Sequence, residues 1–275
     1  MDQIYSLLLE PLTHGFMQRA LFMATIIGVV CAIFSCFLIL KGWSLMGDAV
    51  SHAVLPGLAL AYIAGLPLAI GAFVAGIVCA LSTGYLKNNT RVKEDAVMGI
   101  VFSGMFALGL VLMTYIKSDI HLLHVLFGNV LGITPEDMIQ TALIAGMCIV
   151  IMIVKRRDFM MVCFDPAHAQ VIGLPVRTLN ICLLTLLSLT IVAALQAAGI
   201  ILVVAMLIAP GAIAFLLSRS FDRMMVISVS ISVTSCIIGT LFSFHLDVAP
   251  APLIVVLQAI VFLVVFVGAR KRAIA

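Results

Sequence analysis

Apolar residues run through this chain in long uninterrupted blocks, with charges and turn residues gathered between them. Read that way, the blocks occupy residues 20–40, 49–66, 68–86, 97–116, 138–154, 179–197, 200–217, 224–244 and 251–269. Each approaches the ~20 residues that an α-helix needs to cross a ~30 Å hydrocarbon layer. The pattern predicts an all-α, polytopic transmembrane helical bundle of nine spans, with residues 1–275 forming a single membrane domain. The count falls to eight if either the Gly65-Leu66-Pro67 break or the Ala198-Gly199 break kinks one helix instead of ending it.

Composition agrees with the blocks. Hydrophobic residues make up 64% of the chain and charged residues 10%, whereas an ordinary soluble domain is about 45–50% apolar and about 25% charged. The mean hydropathy is +1.30. The net charge of +3 is too small to argue for a nucleic-acid partner. In the nine-span arrangement thirteen of the fifteen Lys and Arg fall on one side, from Lys41 to the Arg270-Lys271-Arg272 run, and only Arg19 and Lys117 on the other. Short cytoplasmic loops collect positive charge, so the C-terminus is expected in the cytoplasm and the N-terminus outside. The opening MDQIYSLLLE lacks the basic stretch and cleavage pattern of a secretory signal, and the mature chain is expected to begin at Met1. The seven cysteines (31, 36, 79, 148, 163, 182 and 236) mostly lie inside apolar blocks with no C-x-x-C pair, and read as small buried hydrophobes.

Against this background Asp48 and His52 stand out, an acid and an imidazole at the start of an apolar block that also contains Pro56-Gly57. Four residues apart on a helix, they project from one face, where a carboxylate oxygen and a ring nitrogen can meet on one ion of the first transition series. Ionisable groups at membrane depth mark pathways. The competing reading makes Asp48 a helix cap and leaves His52 bonded to a backbone carbonyl.

The stretch Phe164 to Pro175 forms a second candidate. Asp165 at an N-cap, Pro166 at the first helical position and Gly173 at the C-terminal end predict a short helix outside the membrane on the cytoplasmic side, a natural lever for a soluble partner. Glu94-Asp95 read as favourable charges at a helix N-terminus. His121 and His124 lie three apart in the outer connection, while His14, His168 and His245 are single and Asp247 belongs to an outer turn before Ala249-Pro250-Ala251-Pro252. No G-x-x-x-x-G-K-[ST] occurs, nor H-E-x-x-H, nor G-x-S-x-G, so no P-loop nucleotide site or familiar protease or esterase motif is present.

The stretch Asp48 to Gly57, Glu94-Asp95-Ala96-Val97-Met98-Gly99-Ile100, Leu126-Phe127-Gly128, the Asp165-Pro166 to Gly173-Leu174 segment and Gly199 to Val203 followed by Pro210 together resemble the zinc/manganese/iron permease family of ABC importers. The resemblance covers most of the chain in the family's order. The one departure is Ala251, where the family commonly has a glycine after the proline of the outer turn. The resemblance implies the type II importer architecture shared with vitamin B12 and siderophore importers, in a bacterial cytoplasmic (inner) membrane. It implies a second permease copy, identical or related, a cytoplasmic ABC ATPase that binds the ATP, and an extracytoplasmic metal-binding protein. It makes 165–174 the coupling helix, with Asp165, Pro166, Ala169 and Gly173 at the ATPase contact. It matches Asp48 and His52 to the acid and histidine of the metal route, with manganese or iron favoured as cargo and zinc an alternative. The chain itself would be a transport subunit without enzymatic activity or a bound cofactor.

Two rivals remain at this stage. A proton-coupled secondary transporter needs several buried acids in relay, and here nearly every acid other than Asp48 lies at a span boundary or in a loop. An intramembrane hydrolase needs a nucleophile beside a base, and only Ser51-His52 comes close; sequence neighbours point about 100° apart on a helix.

Overall fold

The computed structural model describes residues 13–115 and 135–274. Its helices are α1 (Gly15–Lys41), α2 (Met46–Ala53), α3 (Leu55–Ala64), α4 (Leu68–Asn89), α5 (Glu94–Tyr115), α6 (Pro135–Val154), α7 (Arg156–Phe164), α8 (Pro166–Val171), α9 (Val176–Leu217), α10 (Phe221–Leu246) and α11 (Pro250–Ile274). Among the described residues nine segments are long and apolar enough to span a bilayer, with α2 and α3 together forming one and α9 contributing two. Both ambiguous breaks end a span. After Ala64 the backbone turns, with the N–H of Leu66 bonded to the carbonyl of Ala61, and Pro67 precedes α4. Within α9, Gly199 takes φ 78° and ψ 166°, far from helical and reserved in practice for glycine.

α1 occupies the centre, buried along most of its length between α9 and α10. Apolar surface alone gives little reason for helices to associate in lipid, so close packing and interhelical hydrogen bonds decide which faces meet. Along α10 every fourth residue donates to α1: Ser228 to the carbonyl of Ala32 at 3.0 Å, Ser232 to Gly28 at 2.8 Å and Cys236 to Ala24 at 3.2 Å. Each rung advances four residues on both helices, in opposite directions. The approach depends on small residues, since a β-carbon on Gly28 would lie 2.8 Å from both the Cys236 sulfur and the Ser232 oxygen.

A similar device supports the second half of α9. Pro210 has no N–H for the carbonyl four residues earlier, and Ser35 of α1 enters the opened ladder there. Its hydroxyl donates to the carbonyl of Ile208 at 3.1 Å and accepts from the N–H of Gly211 at 2.9 Å. Among the described glycines the closest helix approach is the crossing of α3 and α4. A β-carbon on Gly57 would lie 2.1 Å from the Gly71 carbonyl oxygen, and one on Gly71 2.2 Å from that of Gly57.

The connection between the fifth and sixth spans, which the sequence marks only as hydrophilic, contains α7 as well as the expected short helix. α7 buries Phe159, Val162 and Cys163, and Phe159 meets Phe37 of α1 edge-on at 6.2 Å between ring centroids. Phe37 in turn meets Phe221 at 4.9 Å, and Arg156 bonds Asp222 at 2.9 Å. The linker is thereby tied to α1 and to the start of α10. Burial pushes the Cys163 thiol up to about 11, so it stays protonated and behaves as a small apolar group.

Candidate functional site

α2 starts at Met46 after Leu45, with no side-chain cap. Asp48 is therefore not the N-cap residue; it stands inside the first turn, where its charge still faces the positive end of the helix. One turn on, His52 Nε2 lies 3.4 Å from Asp48 Oδ1, with the two side chains 32% and 35% exposed. Ser51 points elsewhere, donating to the carbonyl of Gly47 at 2.7 Å in a buried position. Pro56 cannot donate to the carbonyl of His52, and the helix is interrupted at Val54, whose N–H reaches that carbonyl instead.

The neighbours place the pair in depth. The His52 ring lies against Phe102 and Phe106, which bracket the middle of the span Ala96–Thr114. Gly47 packs on Leu207, the midpoint of Ala197–Leu217. The Cys79 sulfur, near the middle of Leu68–Lys87, lies 4.0 Å from the carbonyl of Ala49. The pair, though at the start of its own span, thus packs against the middle portions of three other spans while remaining one-third open. Among the described residues no group of three or more His, Cys, Asp and Glu is arranged to hold a metal ion. All seven cysteines are free thiols. Among the described residues, one chain offers an ion two such side-chain donors here, Asp48 and His52.

The second candidate is built as its residues predict. Asp165 accepts from the N–H of His168 at 3.0 Å, Pro166 opens α8, and Ala169 is fully buried against Val162 and Val176. Gly173 follows at φ +83°, with its N–H on the carbonyl of Gln170 and that of Leu174 on Ala169. The outward side carries Val171 and Ile172, both exposed.

The remaining candidates gain less. His14 and His245 both approach Phe244, each at 5.5 Å between ring centroids, a juxtaposition that residues 231 positions apart do not reveal in sequence. Asp247 ends α10 in the left-handed region at φ 52°, and α11 starts at Pro250, so the turn forms without the family's glycine. The side chains of Glu94 and Asp95, together with His121, His124 and the Leu126-Phe127-Gly128 stretch, lie outside the described residues. What the sequence does not single out is the aromatic pair on α5, because Phe102 and Phe106 look like any two residues of an apolar span.

Among the described residues nine segments long and apolar enough to span a bilayer, three of them packed against an acid–imidazole pair, define a multi-pass membrane protein of the transporter class. Residues 13–269 match the ABC 3 transport family, and the chain belongs to that family. It is 61% identical over 267 residues to the chelated iron transport system membrane protein YfeD of Yersinia pestis, covering 97% of this chain and 90% of that protein. Identity to the manganese transport system membrane protein MntB of Synechocystis sp. is 51% over 267 residues, with 97% and 87% covered. The structure of PsaBC from Streptococcus pneumoniae in complex with Fab superposes with a TM-score of 0.83 at 38% identity, covering 97% of this chain and 95% of that one.

Proposed function

We propose that this chain is the membrane-spanning subunit of an ATP-driven importer of divalent transition metal ions, with manganese or ferrous iron as cargo and Asp48 and His52 on the ion's path. The observation that carries the reading is the one-third-exposed Asp48–His52 pair in the first two turns of an otherwise apolar span, packed against the middles of its neighbours. Two donors make a weak site, as conduction requires, since an ion held in a full cage does not leave. A second permease copy presenting the same pair across a shared axis raises the donor number to four. Oxygen and nitrogen ligands suit manganese, iron and zinc alike; the names of the iron and manganese relatives favour the first two.

Both rivals are weaker. A proton relay requires a second acid at depth, and every other acid of the described residues stands at a helix end or in a linker. A hydrolase requires a serine bonded to its base, whereas Ser51 donates to Gly47.

The gathering of Lys and Arg in one set of loops supports a cytoplasmic C-terminus, on the same side as α8, which is the contact for a soluble ATPase through Asp165, Pro166, Ala169 and Gly173. Ala169 anchors the helix from within, so Val171 and Ile172 are its apolar contact side. An extracytoplasmic metal-binding protein delivers the ion on the opposite face.

Energy must come from the partner, because no nucleotide-binding motif exists in this chain. Reconstituted alone in vesicles, the permease is expected to give no accumulation of manganese above background; with its ATPase and binding protein, accumulation should require ATP. Uphill uptake by the permease alone overturns the proposal. The coupling contact has its own test. No atom lies within 4 Å of a β-carbon placed on Gly173, so the cost of Gly173→Val is conformational, on the order of 1 kcal/mol or more at a left-handed position. The variant should insert at normal levels and show weakened metal-stimulated ATP hydrolysis in the assembled transporter; wild-type stimulation would remove α8 from the coupling role.

A further inference from the structure

The face that carries His52 is closed on one side by two rings of α5. Phe106 meets the imidazole edge-on, 5.4 Å between centroids with the planes at 78°, and Phe102 lies 6.2 Å away, tilted by 31°. Phe102, Phe106 and Gly109 follow one another at intervals of four and three residues, so they share one face of α5. At Gly109 a β-carbon would lie 2.8 Å from the backbone nitrogen of Pro56 and 2.9 Å from the Leu55 β-carbon. Glycine there lets α5 settle on the joint between α2 and α3, and that seating brings both rings against His52.

We propose that Phe106, with Phe102 as a second wall, is a positioning and specificity-determining residue for the Asp48–His52 site. The proposal rests on the reading that this pair lies on the ion's path. The ring contacts hold the imidazole in the rotamer that turns Nε2 toward Asp48 Oδ1 at 3.4 Å, so an arriving ion meets nitrogen and oxygen together. A donor already locked by its neighbours has no rotamer freedom left to lose when the ion arrives. The chemical consequence is selectivity. A carboxylate acting alone suits magnesium, calcium and manganese, whereas the imidazole nitrogen is the donor that favours iron, zinc, nickel and copper. An imidazole free to swing away would leave the ion facing Asp48 only, and the discrimination against hard cations would go with it.

The test uses the full transporter, permease with ATPase and binding protein, in proteoliposomes, with ferrous iron as cargo under reducing conditions and calcium as competitor. Phe106→Leu keeps an apolar side chain and removes the ring edge; Phe106→Tyr keeps the ring. Phe106→Leu is expected to raise KM for ferrous iron about fivefold with kcat nearly unchanged, and to make calcium inhibit at about tenfold lower concentration relative to that KM. Phe106→Tyr should restore wild-type values of both. Should Phe106→Leu not assemble, Phe106→Met is read in the same way. Unchanged KM and calcium discrimination in the leucine variant overturns the proposal, as does a fall in kcat with selectivity intact, the mark of a merely structural role. His52→Ala in the same assay separates the two levels. Normal uptake by His52→Ala removes the pair from the ion's path, whereas lost uptake there beside a wild-type Phe106→Leu removes only the positioning role.

Discussion

Asp48→Asn is expected to reach the membrane at near-normal levels and to take up metal at least about tenfold more slowly than wild type, a loss of about 1.4 kcal/mol or more in transition-state terms. The substitution keeps the shape of the side chain and an oxygen acceptor while removing the charge. Since α2 has no side-chain cap and Asp48 stands inside its first turn, the exchange removes no capping bond. What it removes is the negative charge that attracts a dication, leaving only a neutral oxygen donor beside His52. A favourable interaction with the helix N-terminus is also lost, about 0.3–1 kcal/mol, too little to empty the membrane of a protein with this many packed spans. His52→Ala should behave alike. Quantitative immunoblotting of membranes beside initial rates of metal uptake decides the matter: normal uptake by Asp48→Asn reduces the pair to a local polar contact.

Gly57→Leu should act in the opposite way, on assembly rather than on transport. A β-carbon at this position would stand 2.1 Å from a backbone oxygen of α4 and 2.6 Å from the Ala75 β-carbon. No rotamer relieves an overlap with main chain, so α3 and α4 have to part. Overpacking costs typically 1–3 kcal/mol and occasionally more, and here the separated helices also forfeit the dispersion contacts that hold helices together in lipid. The variant is expected to accumulate severalfold less and to unfold at lower temperature in detergent. Gly146→Ala, where nothing lies within 4 Å of the new carbon, is the matched control and should be close to neutral. Equal levels and melting temperatures for Gly57→Leu and wild type would show that this crossing is looser than described.

How much was visible in sequence depends on how far a feature reaches along the chain. The spans were legible because bilayer thickness sets their length directly, and α8 because Asp165, Pro166 and Gly173 act on their own turn. The Asp48–His52 pairing was legible for the same reason, being one helical turn. Its depth was not, because depth is set by α5, α4 and α9 through Phe102, Phe106, Cys79 and Leu207. Nor could the α1–α10 bonds be foreseen, since their partners lie 196, 204 and 212 positions apart. α7 hid in a segment whose charges, Arg156, Arg157 and Asp158, masked the inward row of Phe159, Val162 and Cys163.

The row of Ser228, Ser232 and Cys236, which donates from α10 to carbonyls of α1, carries a mechanical consequence. A one-residue screw of α10 would shift it 1.5 Å and turn each donor by about 100° away from its carbonyl, breaking every rung at once. The two helices are therefore expected to move as one body, and relative motion within the bundle is expected at other joints; Gly199 and the interruption at Val54 are places where the backbone already departs from a continuous helix.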